Sequence, residues 1–175
     1  MLVGITGASG VVYGVRLVNV LREKKIKTFC VVSRNAEKIM KLEIGENIEC
    51  YREDEIEAPF SSGSFGIDAM AIVPCSMKTL AAIACGYANN LITRSADVVL
   101  KERKKLIVVP RETPLHTIHL ENMLRLSKAG AIILPAMPAF YHRPKKIDDL
   151  IDFVVGKILD VLGIENNLYE RWGMK

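Results

Sequence analysis

The residues of this chain that could do chemistry stand in short turns, and the first of these turns is built from small residues. Residues 2–6 (LVGIT) are typical of a buried strand, residues 7–10 (GASG) interrupt it, and residues 11–21 are typical of a helix. A strand, a small-residue turn and a helix start bring free backbone N–H groups together, which favours a bound anion. The turn therefore predicts a phosphate site to which Ser9 adds a hydroxyl, although tight packing alone would also explain the small residues. Its glycine spacing matches neither G-x-G-x-x-G nor the P-loop.

Polar or charged residues also follow the other apolar runs of the sequence. The runs are residues 27–32, 69–73, 106–109 and 131–134, and the residues after them include Ser33, Cys75 to Lys78, Arg111 to Pro114 and Tyr141. The carboxyl ends of parallel strands meet at one edge of a sheet, where the ligands of open α/β proteins bind. We therefore expect these residues to converge with Ser9, and this convergence favours the phosphate-site interpretation of the first turn.

Some of these side chains allow two interpretations. Cys75 could be a nucleophile of lowered pKa at a helix start, but no His or acid stands close to it in the sequence, so a packing or ligand-contacting thiol is preferred. Glu43 stands at a helix end, where a solvated surface acid is the preferred interpretation. His116 and His119 have a spacing that could hold a metal, but no acid or Cys pair completes the set. The sequence therefore predicts no metal site.

The elements that must position these residues are apolar strands alternating with helices. Five such strands predict a single α/β domain over residues 1–175, a doubly wound parallel sheet of the Rossmann-like or flavodoxin-like three-layer kind. The clearest helix spans residues 147–162, where apolar residues recur with a 3.6-residue period and leave Lys157 outside the stripe. Residues 45–68 predict a long loop with room for a short strand.

Two helix starts carry capping residues. Ser33 or Asn35 is expected to cap a helix that runs to about Ile44. Thr93 is expected to cap a later helix that carries Arg94 and Lys101 along one side.

Composition excludes several classes of protein. The net charge of +4 is mild, the basic residues are scattered along the chain, and the chain has only 11 aromatic residues. A nucleic-acid binder would be expected to have a basic stripe with stacking aromatics, so this class is disfavoured. We expect no signal peptide and no membrane span. The four cysteines show no C-x-x-C spacing, so we expect neither a zinc site nor a disulfide, but free thiols in a reducing cytoplasm.

Taken together, the motifs resemble those of a known family. GITGASG, PCSMKTLA, NNLITRSADVVLKER, VVPRETPLHTIHLENM, LPAMPAFYHRP and the closing LYERW, which run nearly from end to end, resemble the UbiX-type flavin prenyltransferases. The resemblance implies an enzyme that joins a dimethylallyl group from dimethylallyl monophosphate to N5 and C6 of reduced FMN. It further implies a metal-independent reaction, a UbiD-type decarboxylase as recipient of the prenylated FMN, and a dodecamer with sites at subunit interfaces.

The resemblance also assigns roles to residues. It implies FMN contacts at the first two turns and beyond, from Gly7, Ala8, Ser9, Ser33, Cys75, Ser76, Met77, Lys78 and Arg111. It implies that Arg94, Lys101, Tyr141 and Lys157 hold the allyl phosphate and that Trp172 covers the prenyl group. The resemblance also makes Glu112 and Glu43 candidates for acid/base catalysis and Lys101 a candidate catalytic residue. Some relatives carry Arg where this chain has Lys157, which lacks the bidentate fork of Arg.

Two other functions remain open at this point. A flavin-dependent decarboxylase of related fold would act on a carboxylic acid, whereas Arg94, Lys101 and Lys157 together favour a substrate that bears phosphate. A carrier that delivers FMN without chemistry would need neither this second anion pocket nor Glu112.

Overall fold

The computed structural model describes residues 1–45 and 48–173, and within them six strands form one all-parallel sheet. The strands are β1 (Leu2–Ile5), β2 (Phe29–Val32), β3 (Tyr51–Arg52), β4 (Ala69–Cys75), β5 (Lys105–Pro110) and β6 (Ile132–Ile133). Their order in space is β3-β2-β1-β4-β5-β6. The strand order reverses between β1 and β4, which is where doubly wound sheets open a crevice for ligands. The predicted doubly wound α/β fold is confirmed.

Helices cover both faces of this sheet. They are α1 (Val11–Glu23), α2 (Arg34–Glu43), α3 (Met77–Ala84), α4 (Leu91–Lys101), α5 (Thr117–Lys128) and α6 (Ile147–Leu162). Successive strand residues face opposite layers, so Val3 packs with α1, α2 and α6 while Leu2 packs with α3, α4 and α5. Because β1 and β4 are buried on both faces, their sequences are uninterrupted apolar runs.

Element bounds agree with the sequence for the strongly patterned segments. The predicted helix at residues 147–162 is α6, residue for residue, and Ser33 caps α2 by accepting the Ala36 N–H at 3.2 Å. The short strand β3 lies inside the predicted loop of residues 45–68. The prediction that Thr93 caps α4 was wrong. Asn90 is the cap, because its Oδ1 accepts the Thr93 N–H at 2.9 Å while the Thr93 hydroxyl accepts the Asn90 N–H.

The cysteines are the clearest correction to the sequence-based expectations. Cys30 and Cys50 form a disulfide, whereas Cys75 and Cys85 are free. Cys30 lies on β2 and Cys50 immediately precedes β3, so the pairing of these neighbouring strands brings the two residues together. The expectation of free thiols failed because β3 was not predicted as a partner of β2.

Candidate functional site

The turn after β1 lies against the start of α2. A Cβ built on Gly7 would stand 2.6 Å from the Asn35 Cβ, so only glycine allows this approach. Ala8 is buried and Ser9 is exposed at the tip of the turn. Gly10 caps α1 in the left-handed conformation and supplies no side chain to the helix N-terminus. The backbone N–H groups of this helix start are thus left for another acceptor.

Glu43 is that acceptor. Its carboxylate accepts the Gly10 N–H at 2.9 Å and the Val11 N–H at 3.2 Å. A carboxylate is stabilised at a helix N-terminus by the helix dipole and by these donors. Glu43 is exposed, and the structure places its carboxylate beside the Ser9 turn, where backbone N–H groups hold it. The anion site predicted from the sequence is occupied in this chain by one of its own side chains.

Thr6 joins the two turns at which the strand order reverses. Its hydroxyl donates to the Pro74 carbonyl at 2.8 Å and accepts the Ser76 N–H at 2.7 Å. Thr6 is buried, so both bonds are shielded from water. Sequence reasoning gave this residue no role. The available signal was a hydroxyl at the end of an otherwise apolar strand.

Ser76 and Ser33 hold equivalent positions at two helix starts. Ser76 caps α3 by accepting the Thr79 N–H at 3.4 Å, just as Ser33 caps α2. A hydroxyl that accepts a backbone N–H still has its own proton to donate, and Ser76 donates this proton to the Thr79 Oγ1 at 3.1 Å. Ser33 is therefore able to serve the helix and an anion at this edge of the sheet, whereas Ser76 would have to turn its proton from Thr79 to the anion.

The remaining cofactor candidates differ in exposure. The Arg111 Nε donates to the Ser9 carbonyl at 2.9 Å, which ties the turn after β5 to the turn after β1. Met77 is half-buried and Lys78 is exposed. Cys75 is fully buried, and burial raises the pKa of its thiol, so it is not an activated nucleophile. Its thiol packs into the core beneath α3, which fits the packing interpretation.

The structure thus brings most of the cofactor candidates to one edge. Thr6, Ser9, Glu43, Ser76 and Arg111 are linked there by hydrogen bonds between residues that are distant in sequence. Small side chains, hydroxyl groups, backbone N–H groups and the Arg111 guanidinium are the kinds of group that hold a planar ligand with a phosphate, so these residues fit FMN. Glu112 is exposed beside this edge and accepts only the adjacent Thr113 N–H among the described residues.

Arg94 and Lys101 lie on the outer flank of α4. The Arg94 Nε donates to the Ser61 carbonyl at 3.1 Å, and an Nη1 pairs with Asp97 at 3.0 Å. The Lys101 Nζ pairs with Glu102 at 2.5 Å. A Cβ on Gly63 would lie 3.0 Å from that Nζ, so residues 61–63 run along both cations. This flank belongs to the layer formed by α3, α4 and α5.

Tyr141, Lys157 and Trp172 lie in the other layer, beside α6. The rings of Tyr141 and Trp172 meet edge to face with centroids 5.3 Å apart, and Tyr141 also contacts Phe153. Tyr141 and Trp172 border a cleft of about 490 Å³ together with Arg143 and Arg171. The Lys157 Nζ lies 4.0 Å from Asp160. Apolar rings and cations therefore stand side by side at the end of the chain.

Asp160 holds the C-terminal tail against α6. It accepts the Tyr169 hydroxyl at 2.5 Å and the Arg171 guanidinium at 2.6 Å. Burial opposes the ionisation of Asp160, but hydrogen bonds from Arg171, Tyr169 and Asn166 outweigh it and keep its pKa below the usual range. Burial, with the bond to Asp160, raises the pKa of Tyr169 to about 12.

One chain does not unite the residues assigned to the allyl phosphate. Arg94 and Lys101 stand on one side of the sheet, whereas Tyr141, Lys157 and Trp172 stand on the other. The sheet and its two helical layers separate the groups.

Fold and edge together define the class of protein, an α/β flavoprotein. A family model described as Flavoprotein matches residues 1–159. A flavin prenyltransferase UbiX from Methanocaldococcus jannaschii is 50% identical over 181 aligned residues, which cover 99% of this chain and 98% of that protein. The chain belongs to the UbiX family of flavin prenyltransferases.

Solved structures agree with this assignment. A crystal structure of a UbiX protein in complex with FMN and dimethylallyl pyrophosphate is 44% identical, with a TM-score of 0.96 over 99% of this chain and 97% of that one. A dodecameric FMN-dependent UbiX-like decarboxylase from Escherichia coli O157:H7 is 46% identical, with a TM-score of 0.94 over 98% and 97% of the two chains.

Metal-binding clusters and membrane-spanning helices are both absent from the described residues. Across residues 1–45 and 48–173, no cluster of three or more His, Cys, Asp or Glu side chains is arranged to hold a metal ion. Over the same ranges, no helix has the length and apolar character needed to cross a membrane. His116 and His119 stack on each other with ring centroids 3.5 Å apart.

Proposed function

We propose that the protein transfers a dimethylallyl group from dimethylallyl monophosphate to N5 and C6 of reduced FMN, without a metal ion. The observation that carries this proposal is a second set of cations outside the flavin edge, the half-buried Arg94 and the exposed Lys101 on one layer and the exposed Lys157 on the other. A protein that only bound FMN would not need them. The similar crystal structure holds FMN and dimethylallyl pyrophosphate, which supports FMN and a dimethylallyl phosphate ester as the two ligands.

The flavin would bind at the carboxyl edge of the sheet. Gly7, Ala8 and Ser9 would contact it through backbone and hydroxyl groups, with Ser33 and Ser76 donating from helix starts. Met77, Lys78 and the backbone of Cys75 would border the ring at the second turn. Arg111, which is already anchored to the Ser9 carbonyl, would face the ring from the third turn.

The departing phosphate requires positive charge. Breaking an allylic C–O bond leaves negative charge on the phosphate, which preorganised cations stabilise strongly where water is excluded. Arg94 and Lys101 would supply this charge from one subunit, while Tyr141 and Lys157 would supply a donor and a cation from a neighbour. Trp172 would cover the five-carbon group, because an aromatic face stabilises a cation and excludes water.

Two carboxylates are candidates for proton transfer. Ring closure at C6 requires the loss of a proton, which a carboxylate or the released phosphate could accept. Glu43 is fixed beside the Ser9 turn by two backbone donors, and Glu112 is exposed beside Arg111. We assign both as acid/base residues of the transfer.

Assembly is part of the proposal, because a single chain leaves the phosphate groups on opposite layers. The similar Escherichia coli protein is a dodecamer. In this chain, α5 exposes Ile118, Leu120 and Leu124, which are 63%, 53% and 55% exposed. Apolar helix faces of this kind are typical of surfaces that another subunit covers. We propose a dodecamer whose prenyl-transfer sites lie between copies.

The product and the location complete the proposal. Prenylated FMN would pass to a UbiD-type decarboxylase. We also propose a cytoplasmic location with no nucleic-acid or membrane partner. The Cys30–Cys50 disulfide would then form in a compartment where disulfides are uncommon.

The test is mass spectrometry of the flavin after anaerobic incubation with reduced FMN and dimethylallyl monophosphate. The expected result is a mass gain of one C5H8 unit. A flavin of unchanged mass, with binding verified and the pyrophosphate donor also tried, would refute prenyl transfer.

A decarboxylase is the second candidate function, because the similar Escherichia coli protein is described as an FMN-dependent UbiX-like decarboxylase. Release of CO₂ from a carboxylic acid by purified protein loaded with FMN, with no C5H8 gain, would favour a decarboxylase.

The variant Glu112→Gln distinguishes a prenyltransferase from a simple FMN carrier. It should keep FMN binding while prenyl transfer falls. Glu57→Gln, an exposed acid of the loop before β4, is the matched control.

A further inference from the structure

Glu53 makes a network of hydrogen bonds that no role described above uses. It directly follows β3, and its backbone N–H donates to the Val32 carbonyl at 3.1 Å. Its Oε1 accepts the Arg34 N–H at 2.8 Å, and its Oε2 accepts the Asn90 Nδ2 at 3.1 Å. Its carbonyl accepts the Leu91 N–H at 2.8 Å. One residue therefore bonds to the first turns of both α2 and α4.

These two helices lie on opposite faces of the sheet. Ala36 and Met40 of α2 pack in the layer with α1 and α6, whereas Leu91 and Ala96 of α4 pack with α3 and α5. Glu53 reaches both because β3 is the edge strand, so no further strand stands between its side chain and either layer. It is thus a bridge around the open edge of the sheet.

The bridge fixes the orientation of the Asn90 amide. Asn90 Oδ1 is committed to the Thr93 N–H, at 2.9 Å, as the cap of α4. Its Nδ2 therefore points the other way and needs an acceptor, which the Glu53 carboxylate supplies. A carboxylate is the correct partner here, because a side-chain amide nitrogen at the same place would put two donors face to face.

Both bridged helix starts carry residues of the proposed site. Ser33 caps α2 immediately before Arg34, whose N–H Glu53 accepts. Arg94 lies in the first turns of α4, and its N–H donates to the Asn90 carbonyl at 2.8 Å. We propose that Glu53 is a positioning residue that fixes the α2 start bearing Ser33 relative to the α4 start bearing Arg94. This inference rests on the function proposed above.

Such a role makes a prediction that differs from that of a simple surface acid. Loss of the bridge should let the two helix starts shift independently, which weakens FMN binding at Ser33 and raises the KM for the allyl donor at Arg94. Asp54, the next residue, pairs with Arg52 at the end of β3, and this ion pair does not connect the two layers. Asp54→Asn is therefore a matched control that removes the same charge one residue away.

The decisive experiment is a double-mutant cycle at Glu53 and Asn90. In Glu53→Gln, the amide oxygen can still accept the Arg34 N–H, but its nitrogen opposes the Asn90 nitrogen. In Asn90→Asp, the cap to Thr93 survives, but two carboxylates face each other. In the double variant, Asp at 90 accepts from Gln at 53, and the bridge is restored with reversed polarity.

The readouts are the FMN dissociation constant from flavin fluorescence, well below the unfolding temperature, and the donor KM. We expect each single variant to weaken FMN binding about tenfold, the double variant to recover most of that loss, and Asp54→Asn to resemble wild type. Single variants that lower only the melting temperature, or a double variant no better than either single one, would overturn the proposal. If wild-type protein binds FMN but does not prenylate it, the proposed function fails, while the FMN comparison still tests Glu53.

Discussion

The carboxyl edge of the sheet and the two helical flanks differ in how far a single chain completes them. At the edge, Glu43 reaches the α1 start and Arg111 reaches the Ser9 carbonyl, each across more than thirty residues of sequence. On the flanks, Arg94, Lys101 and Lys157 form ion pairs with acids one or three residues away, and Arg94 also donates to the Ser61 carbonyl. The charged groups of the edge are thus held mainly by residues distant in sequence, whereas the ion pairs of the flanks are local.

This difference predicts that a single chain suffices for FMN binding, whereas prenyl transfer needs the assembled subunits. FMN binding should be a property of the folded chain, because the groups that fit the flavin are fixed within it. Prenyl transfer should be a property of the assembly, because Arg94 and Lys101 stand on the layer opposite to Lys157 and the aromatic cover in any one chain. Changes at the edge should therefore affect binding and transfer together, while changes on the flanks should affect transfer alone.

The largest effect is expected at Lys101. Lys101→Ala should lower the rate of prenyl transfer by about 10²–10³, the usual loss when one preorganised charge-stabilising group is removed, and leave the FMN affinity unchanged. Mass spectrometry of the flavin and fluorescence titration measure the two quantities. Lys104→Ala, an exposed lysine just beyond the end of α4, is the control.

A mixing experiment extends this prediction to the assembly. Lys101→Ala and Lys157→Ala proteins, unfolded and refolded together, should regain transfer because some sites combine one intact contribution from each copy. Activity no greater than that of the separate variants would show that both lysines serve a site within the same chain.

The next effect concerns the disulfide, which closes a segment that contributes residues to the carboxyl edge. Cys30 and Cys50 are separated by 20 positions, and the closed segment contains Ser33 and Glu43. Cys50→Ser should lower the free energy of unfolding by about 3 kcal/mol through lost loop-closure entropy. Thermal unfolding with and without reductant measures it, since reductant should destabilise the wild type alone. FMN present during unfolding should stabilise both proteins alike and leave the difference between them unchanged. A variant as stable as wild type would contradict the prediction.

Gly7 tests the edge more locally. Gly7→Ala places a methyl group 2.6 Å from the Asn35 Cβ, so the turn after β1 or the start of α2 must shift. We expect a cost of about 1–3 kcal/mol in stability, together with weaker FMN binding. Gly45→Ala, where a Cβ meets nothing within 4 Å, controls for the loss of a glycine, although its positive φ adds some strain. Unchanged FMN affinity in Gly7→Ala would place the flavin elsewhere.

The sequence predicted the fold in the places where local pattern decides it. Periodicity, burial and side-chain chemistry within a few residues determine the bounds of α6, the apolar runs of β1 and β4 and the Ser33 cap. The loop of residues 45–68 was predicted with room for a short strand, but neither the position of β3 nor its pairing with β2 was predicted, because pairing and not its own two residues defines this strand. The Cys30–Cys50 bridge and the network around Glu53 depend on that pairing, so the sequence could not indicate them either.

The candidate site divides in the same way. Ser9, Ser33, Ser76 and Arg111 were predictable because each follows a strand, and parallel strands end at one edge. The contact of Glu43 with the α1 start was not predictable, since it depends on where α2 ends in space. Thr6 was overlooked because a threonine at the end of an apolar strand is compatible with many environments.

The smallest effect lies on a flank and concerns the hold of the C-terminal tail. The bonds to Asp160 keep its pKa below the ordinary carboxyl value of 3.8, so the ionised form stabilises the folded tail above that pH. This stabilisation, worth about 1 kcal/mol, should disappear as the pH falls through the lowered pKa. Trp172 is the only tryptophan and packs against Tyr141, so its fluorescence should report release of the tail in acid. Asp160→Asn should show the released signal at neutral pH and no such acid transition, with FMN affinity unchanged because the flavin edge is intact. An acid transition that persists in Asp160→Asn would assign the hold of the tail to other groups.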